Sequence, residues 1–382
     1  MKISLNPFFY YILVFLSILI IYPLNWSDLQ IDLEWNLTSF ILASMFLSVI
    51  FGFIYSFCFN TKVVGVNQIK ENNFFLWCFL ILGITIEILH AGVIPIIEII
   101  MGRDYKYHLF GIPVFHVFFL PYISAVGIYS LYKYIMFKRK QRLYIYILSI
   151  FFTIIIFNRG AIFFILLTSF FMYFSVNVKI NIRGIFLSFI FFIASLYTFG
   201  IMGNSRMVSS GYNSEEAILL IGKANDNFEK SIVPNEFFWS YLYFVSPYAN
   251  LQYQSNNISN VDFYNVFKYQ ILFDFIQKRT FIDNKDNNFL LTDELNVSTL
   301  YGRTMQVAGF GGAIILYFWF VFLVFVITIL ADFKSRKPVM ASFCSIAIFT
   351  FFTNILVFSG FIFQPIFIAI LSRLKFGKFN LF

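Results

Sequence analysis

Glu236-Phe237-Phe238-Trp239-Ser240-Tyr241-Leu242-Tyr243 lies inside a polar segment running from about Asn204 to Gln306, and nearly everything on either side of that segment is apolar. The same segment holds the acidic run Ser214-Glu215-Glu216 and the Asn/Asp-rich Asp283-Asn284-Lys285-Asp286-Asn287-Asn288. A connection of this length is uncommon unless it is functional or lacks fixed structure. It divides the chain into apolar helices over 1–203, one large connection over 204–307, and further apolar helices over 308–382.

Hydrophobic residues are 60% of the 382 and charged residues 12%, with a mean hydropathy of +0.79. Soluble domains lie near about 45–50% and 25%, so the composition describes an all-α polytopic integral membrane protein. Windows of roughly 17–25 apolar residues fall near 8–24, 37–59, 74–91, 113–136, 143–157, 161–178, 185–203, 308–330, 339–358 and 361–372. About ten transmembrane helices are therefore expected, the fifth and the last being short, with the large loop between the seventh and the eighth. Met1-Lys2 followed by the first apolar run looks like a signal peptide, but no small-residue cleavage site follows, so it reads as an uncleaved first span.

The net charge of +8 serves as a topology signal, since Lys and Arg crowd cytoplasmic loops. Lys62 and Lys70, Lys138-Arg139-Lys140 with Arg142, Lys179 and Arg183, Lys334 with Arg336 and Lys337, and Arg373 with Lys375 occupy alternate connections. Asp28, Asp32, Glu34, Glu98, Asp104 and most acids of the long segment occupy the others. Both termini are then cytoplasmic and the long segment lies outside. Nucleic acid is not an expected partner. Cys58, Cys78 and Cys344 fall inside apolar runs and make neither a disulfide framework nor a metal motif; no metal or other cofactor is expected. Nor is there an internal repeat, which counts against a transporter built from inverted repeats.

Phe237, Tyr241, Phe244 and Tyr248 fall on one face of a helix. One reading is an amphipathic helix lying at the membrane interface. The other is a platform on which sugar rings stack, and the two can coexist.

Arg159, in Asn158-Arg159-Gly160, is held between two apolar runs with almost no loop, a costly place for a charge that lacks a partner. Arg206, in Gly203-Asn204-Ser205-Arg206, emerges at the same surface, Arg303 precedes the eighth span there, and Arg103 follows the third. Each offers a planar fork of donors suited to phosphate. The alternative is salt bridging to loop carboxylates or snorkelling to lipid phosphates, which explains Arg103 and Arg303 more readily than Arg159 and Arg206. His116, near the outer end of the fourth span, is a candidate general base or a packed, hydrogen-bonded ring. Glu87 lies within the third span, where an acid is a functional candidate; three residues before His90, it could instead simply bond that ring. Gly309, Gly311 and Gly312 open the eighth span, serving either an anion at a helix N-terminus or close helix packing. Nothing in the sequence ranks Glu215, Glu216, Asp226, Glu229, Glu236, Asp262, Asp274, Asp293 and Glu294 as proton acceptors.

The spans, the single large external loop, Asn158-Arg159-Gly160, Gly203-Asn204-Ser205-Arg206 and Tyr241-Leu242-Tyr243-Phe244-Val245-Ser246-Pro247-Tyr248-Ala249-Asn250 together resemble the O-antigen polymerases (Wzy) and related oligosaccharide repeat-unit polymerases. The resemblance implies a glycosyltransferase at the periplasmic face of the bacterial inner membrane, active in lipopolysaccharide and polysaccharide biosynthesis. Its donor and acceptor would both be oligosaccharides linked to undecaprenyl diphosphate. Membrane lipid would surround it, and a flippase and a chain-length regulator of the same pathway would be its partners. In that role Arg159 and Arg206 would neutralise the departing diphosphate, and His116 or a carboxylate would take the hydroxyl proton. Arg103, Arg303, Glu236, Trp239, Tyr241, Tyr243 and Asn250 would hold the substrate. An O-antigen ligase shares this outline. A lipid-linked oligosaccharide flippase would instead show cations in a central cavity and short loops.

Overall fold

The computed structural model describes residues 4–59, 74–101, 103, 110–176, 182–209, 217–258, 261–281, 289–292, 295–373, 375–376 and 379–380. The architecture is all-helical: α1 (Pro7–Ile21), α2 (Trp35–Cys58), α3 (Phe74–Ala91), α4 (Pro95–Ile100), α5 (Phe115–Phe137), α6 (Lys140–Ile155), α7 (Arg159–Val176), α8 (Ile182–Ser209), α9 (Ala217–Ile221), α10 (Asp226–Glu229), α11 (Phe237–Asn256), α12 (Phe263–Val266), α13 (Asp274–Thr280), α14 (Gly302–Leu330), α15 (Arg336–Phe349) and α16 (Ser359–Leu371). Each of the ten apolar stretches overlaps one of these helices. Among the described residues six helices are long and apolar enough to cross a membrane: α1 with its terminal turn to Leu24, α2, α3, α5, α7 and α14.

Local signals set the helix ends. Asn6 caps α1, its Oδ1 accepting from Phe8 N–H at 3.1 Å, and Pro7 occupies the first turn, where its missing N–H costs nothing. Asn158 caps α7 in the same way, accepting from Ala161 N–H at 3.0 Å. Left-handed residues at Lys138 and Phe157 turn the chain between α5 and α6 and between α6 and α7.

In a bilayer, polar side chains that pair across helices replace part of the missing hydrophobic drive, at about 0.6–1.7 kcal/mol each. Such pairs tie α2 to α1 and α14. Tyr11 meets Ser44 at 2.8 Å and Tyr301 at 2.5 Å, Ser48 meets Tyr317 at 2.9 Å, and Tyr55 meets Thr328 at 2.9 Å. The short α15 is buried almost throughout and packs on α1, α7, α14 and α16. Its small residues Ser342, Cys344 and Ser345 suit that central position, and Thr168 of α7 reaches Ser345 at 2.9 Å.

The described residues of the polar segment form helices α9 to α13 and the start of α14. Helix α11 buries residues on all sides, including Tyr241, Leu242, Val245, Tyr248, Ala249 and Asn250. The expected helix is therefore present, and it is packed on several sides, with no single bare apolar face. It packs on α1, α8 and α14. The stretch after α1 is bound to the same unit: Ser27 Oγ donates to Gly222 O at 2.5 Å, Asp28 N–H to Lys223 O at 2.9 Å, and Gln252 Nε2 to Asp32 O at 2.6 Å.

Helix α14 begins at Gly302, earlier than expected, and breaks at Gly309 (φ 58°, ψ −152°). Only glycine adopts that backbone readily. The break frees the Val307 carbonyl, which accepts from Asp262 N–H at 3.1 Å. A Cβ on Gly312 would crowd Ala308 and Thr304 of the same helix, across the break, and one on Gly311 would meet Phe263 at 3.2 Å. Gly309→Ala is expected to cost about 1–3 kcal/mol, read as a lowered unfolding midpoint of the purified protein in detergent.

Candidate functional site

One end of the helix assembly gathers the irregular chain. The 267–281 stretch reaches over the starts of α5, α14 and α16. Phe275 meets Phe118 of α5 with ring centroids 5.3 Å apart, and Phe118 stacks on Phe363 of α16 at 5.5 Å. Asp274 Oδ1 accepts from both the backbone N–H and the hydroxyl of Ser359, at 3.0 and 2.7 Å, so a carboxylate caps α16. Asn354 Nδ2 donates to Gln270 O at 2.9 Å, and a Cβ on Gly160 at the start of α7 would touch Phe361. Basic residues lie at the opposite end, where Arg336 sits 5.5 Å over Phe59 and Arg373 donates to Ile329 O at 3.2 Å.

At the gathered end, the last turn of α3 meets the first turn of α5. There Glu87 Oε2 and His116 Nδ1 are 2.6 Å apart. Glu87 is fully buried and His116 is 21% exposed. The remaining carboxylate oxygen, Oε1, is buried without a hydrogen-bond partner among the described residues. Phe110 sets its ring edge-on to the imidazole at 5.6 Å. Gly111 (φ +88°) closes the site so tightly that a Cβ there would overlap Glu87 Oε2 and sit 2.7 Å from His116 Nδ1. Glu87 therefore pairs with His116 of the next long helix, and not with His90, which is exposed. His108 lies outside the described residues.

The arginines separate. Arg159 stands exposed at the start of α7, its guanidinium 5.2 Å from the Phe157 ring. Arg303 lies 5.3 Å over Tyr269 of the 267–281 stretch. Arg103 is ion-paired to Glu98 at 3.1 Å and 65% exposed, the salt-bridged alternative. The Arg206 side chain lies outside the described residues.

The residues expected to guide sugars are mostly built into the interior. Trp239 is buried and donates Nε1–H to Asn204 Oδ1 at 2.6 Å. Tyr241 is buried, donates to Gln30 Oε1 and accepts from Trp26 N–H at 2.9 Å. Burial pushes its phenol up to about 12, so it stays a neutral donor at physiological pH. Tyr243 is half-buried against Phe199 at 5.1 Å, and Glu236 accepts from Tyr197 OH at 3.4 Å. Fully buried Asn250 donates to Leu295 O and Val297 O at 2.6 and 2.7 Å and accepts from Leu291 N–H at 2.9 Å. Trp239, Tyr241 and Asn250, named from the sequence as substrate contacts, are each buried and bonded within the segment, where the two rings are packed and the amide is taken up by backbone.

Structure also ranks the acids. Asp226 is bonded to Lys230 at 2.6 Å, which holds its carboxyl below the usual range. Asp262 caps α12 by accepting from Asn265 N–H at 3.1 Å, and Asp274 caps α16. Glu215, Glu216, Asp293 and Glu294 lie outside the described residues. Gly111 and Phe110 are not marked by any motif in the sequence; the signal there is Gly-Ile-Pro at 111–113, just before a helix whose second residue is His116. Comparisons with family models, with curated proteins and with solved structures each find no match.

Proposed function

We propose that this chain is an O-antigen-type polymerase. In this reading ten helices cross the bacterial inner membrane, the 204–307 segment and the helix ends around it face the periplasm, and both termini are cytoplasmic. A sugar hydroxyl of one undecaprenyl-diphosphate-linked oligosaccharide attacks the anomeric carbon of another, and lipid diphosphate leaves.

The observation that carries this reading is the company kept at one end of the molecule. An acid–base pair, fully buried Glu87 with part-exposed His116, shares that end with the exposed cation Arg159 at the start of a helix and with a folded cover over 267–281. A base for a hydroxyl and a cation for a departing diphosphate are what glycosyl transfer from a lipid diphosphate requires. Basic residues at the opposite end agree with a cytoplasmic assignment there. Arg303, over Tyr269, and half-buried Tyr243 remain candidates for contacting substrate; Arg206 joins Arg159 on sequence position alone.

Arg159→Ala is expected to abolish polymer while the protein still inserts and accumulates. Arg159→Lys should rescue poorly, since an ammonium cannot supply a bidentate fork. The check is the lipopolysaccharide banding pattern of a deletion strain carrying each variant. A single band of core plus one repeat unit supports the reading, and a normal ladder from Arg159→Ala removes Arg159 from it. Loss of every O-antigen band with lipid-linked polymer accumulating would instead identify a ligase, and unpolymerised lipid-linked units trapped on the cytoplasmic side a flippase.

A further inference from the structure

We infer that Glu87 is the positioning residue of the site: it receives the Nδ1 proton of His116 and so leaves Nε2 as the atom that takes the acceptor hydroxyl's proton. The inference rests on the polymerase reading for its substrate, but the pairing itself rests on geometry.

Four observations carry it. The Nδ1 to Oε2 separation of 2.6 Å places the ring nitrogen and the carboxylate oxygen in a short hydrogen bond. A fully buried carboxylate is costly unless it is hydrogen-bonded, and among the described residues His116 is the side chain that bonds it. The two residues come from different helices, α3 and α5, so the pair also fixes how those helix ends meet. Finally, Gly111 packs against Oε2 and Nδ1 where no side chain fits. The chain thus surrounds the Nδ1 side of the ring, while the imidazole keeps part of its surface open.

The proton count follows. Before reaction the neutral ring carries its proton on Nδ1 and donates it to Glu87, so Nε2 holds a lone pair. The acceptor hydroxyl oxygen forms a bond to the donor's anomeric carbon. The bond from that carbon to the diphosphate oxygen breaks, and its electron pair leaves with the diphosphate. The hydroxyl proton moves to Nε2. Glu87 then balances the imidazolium, which would otherwise be an uncompensated charge at the membrane edge. When the imidazolium later releases that proton to water, the site returns to its starting state.

Two measurements on Glu87→Gln and wild type test this. In the first, nitrogen NMR of the purified full-length protein, labelled with 15N-histidine and assigned with His116→Gln, reads which ring nitrogen is protonated when His116 is neutral. Wild type is expected to carry the proton on Nδ1. In Glu87→Gln the amide can present its NH2 to the ring, and the proton should shift toward Nε2. In the second, polymer formation by Glu87→Gln, at normal accumulation in the membrane, should fall by roughly 100-fold or more, the scale of a general base's contribution. A wild-type ring protonated on Nε2, or an unchanged ring and ladder in Glu87→Gln, overturns the inference. The NMR measurement needs no substrate. An unchanged ladder on deletion of the gene would therefore sink the polymerase reading separately from the pairing of Glu87 with His116.

Discussion

Gly111→Ala is expected to cost about 1–3 kcal/mol more than Gly92→Ala, the loss that follows when a buried polar group is parted from its hydrogen-bond partner. Both glycines have positive φ, +88° and +68°, so both substitutions carry the same kind of backbone strain. Their surroundings differ. Around Gly92 an added Cβ meets nothing within 4 Å, whereas at Gly111 it would overlap Glu87 Oε2 and crowd His116 Nδ1 and Cγ at 2.7 and 2.9 Å. The carboxylate has little room to retreat, because it is fully buried and already has one oxygen without a partner among the described residues. The difference between the two unfolding midpoints in detergent therefore isolates the contact with the pair from the backbone cost. Equal destabilisation by the two variants would show that the pair yields easily. The same substitution should also remove polymer formation, whereas Gly92→Ala should leave it, because Gly92 touches no part of the site.

Asn250→Leu is expected to destabilise the segment by about 3–6 kcal/mol, a large share of the roughly 5–15 kcal/mol that holds a typical domain folded. Asn250 satisfies three backbone groups of the 289–297 stretch, the carbonyls of Leu295 and Val297 and the N–H of Leu291. Leucine keeps the volume and removes all three bonds, so two carbonyls and one amide are left beside a buried apolar side chain. The 289–300 chain leads directly into α14, where Leu300 N–H donates to Thr350 O at 2.6 Å, so loosening there should reach the end that carries Arg303. Asn227→Leu is the comparison: exposed, with a side-chain bond to Asn25 O at 3.1 Å, it should change stability by no more than about 0.5 kcal/mol. Limited proteolysis of membrane vesicles, with cleavage mapped to 289–300, reads the outcome. Equal protease resistance in the two variants would mean that the stretch is held by other contacts.

Membrane character and helix positions are legible in the order of residues alone. Apolar runs of span length can satisfy their backbone only as helices in lipid, and all ten such runs overlap helices. Arg159 is legible too, since a charge between two apolar runs with no loop must sit at a helix end, and it does.

What a residue faces follows from packing between helices. The aromatic periodicity of 237–248 correctly implies a helix, yet periodicity reports one face and says nothing of what covers the other. The stretch after α1, α8 and α14 cover it, which turns an apparent docking surface into core. In the same way, local spacing pairs Glu87 with His90, three residues along one helix, while the fold pairs it with His116, 29 residues away. A helix sets which side chains share a face. Which neighbour that face meets depends on how separate helices dock, and here a left-handed glycine at 111 lets the chain pass close enough for the carboxylate and the imidazole to join. Local chemistry along the chain accounts for a set of membrane helices with charged residues at their ends, because burial of backbone in lipid leaves no other form; that an acid and a base meet at one such end is the work of α3 docking on α5, a long-range contact that no local pattern encodes.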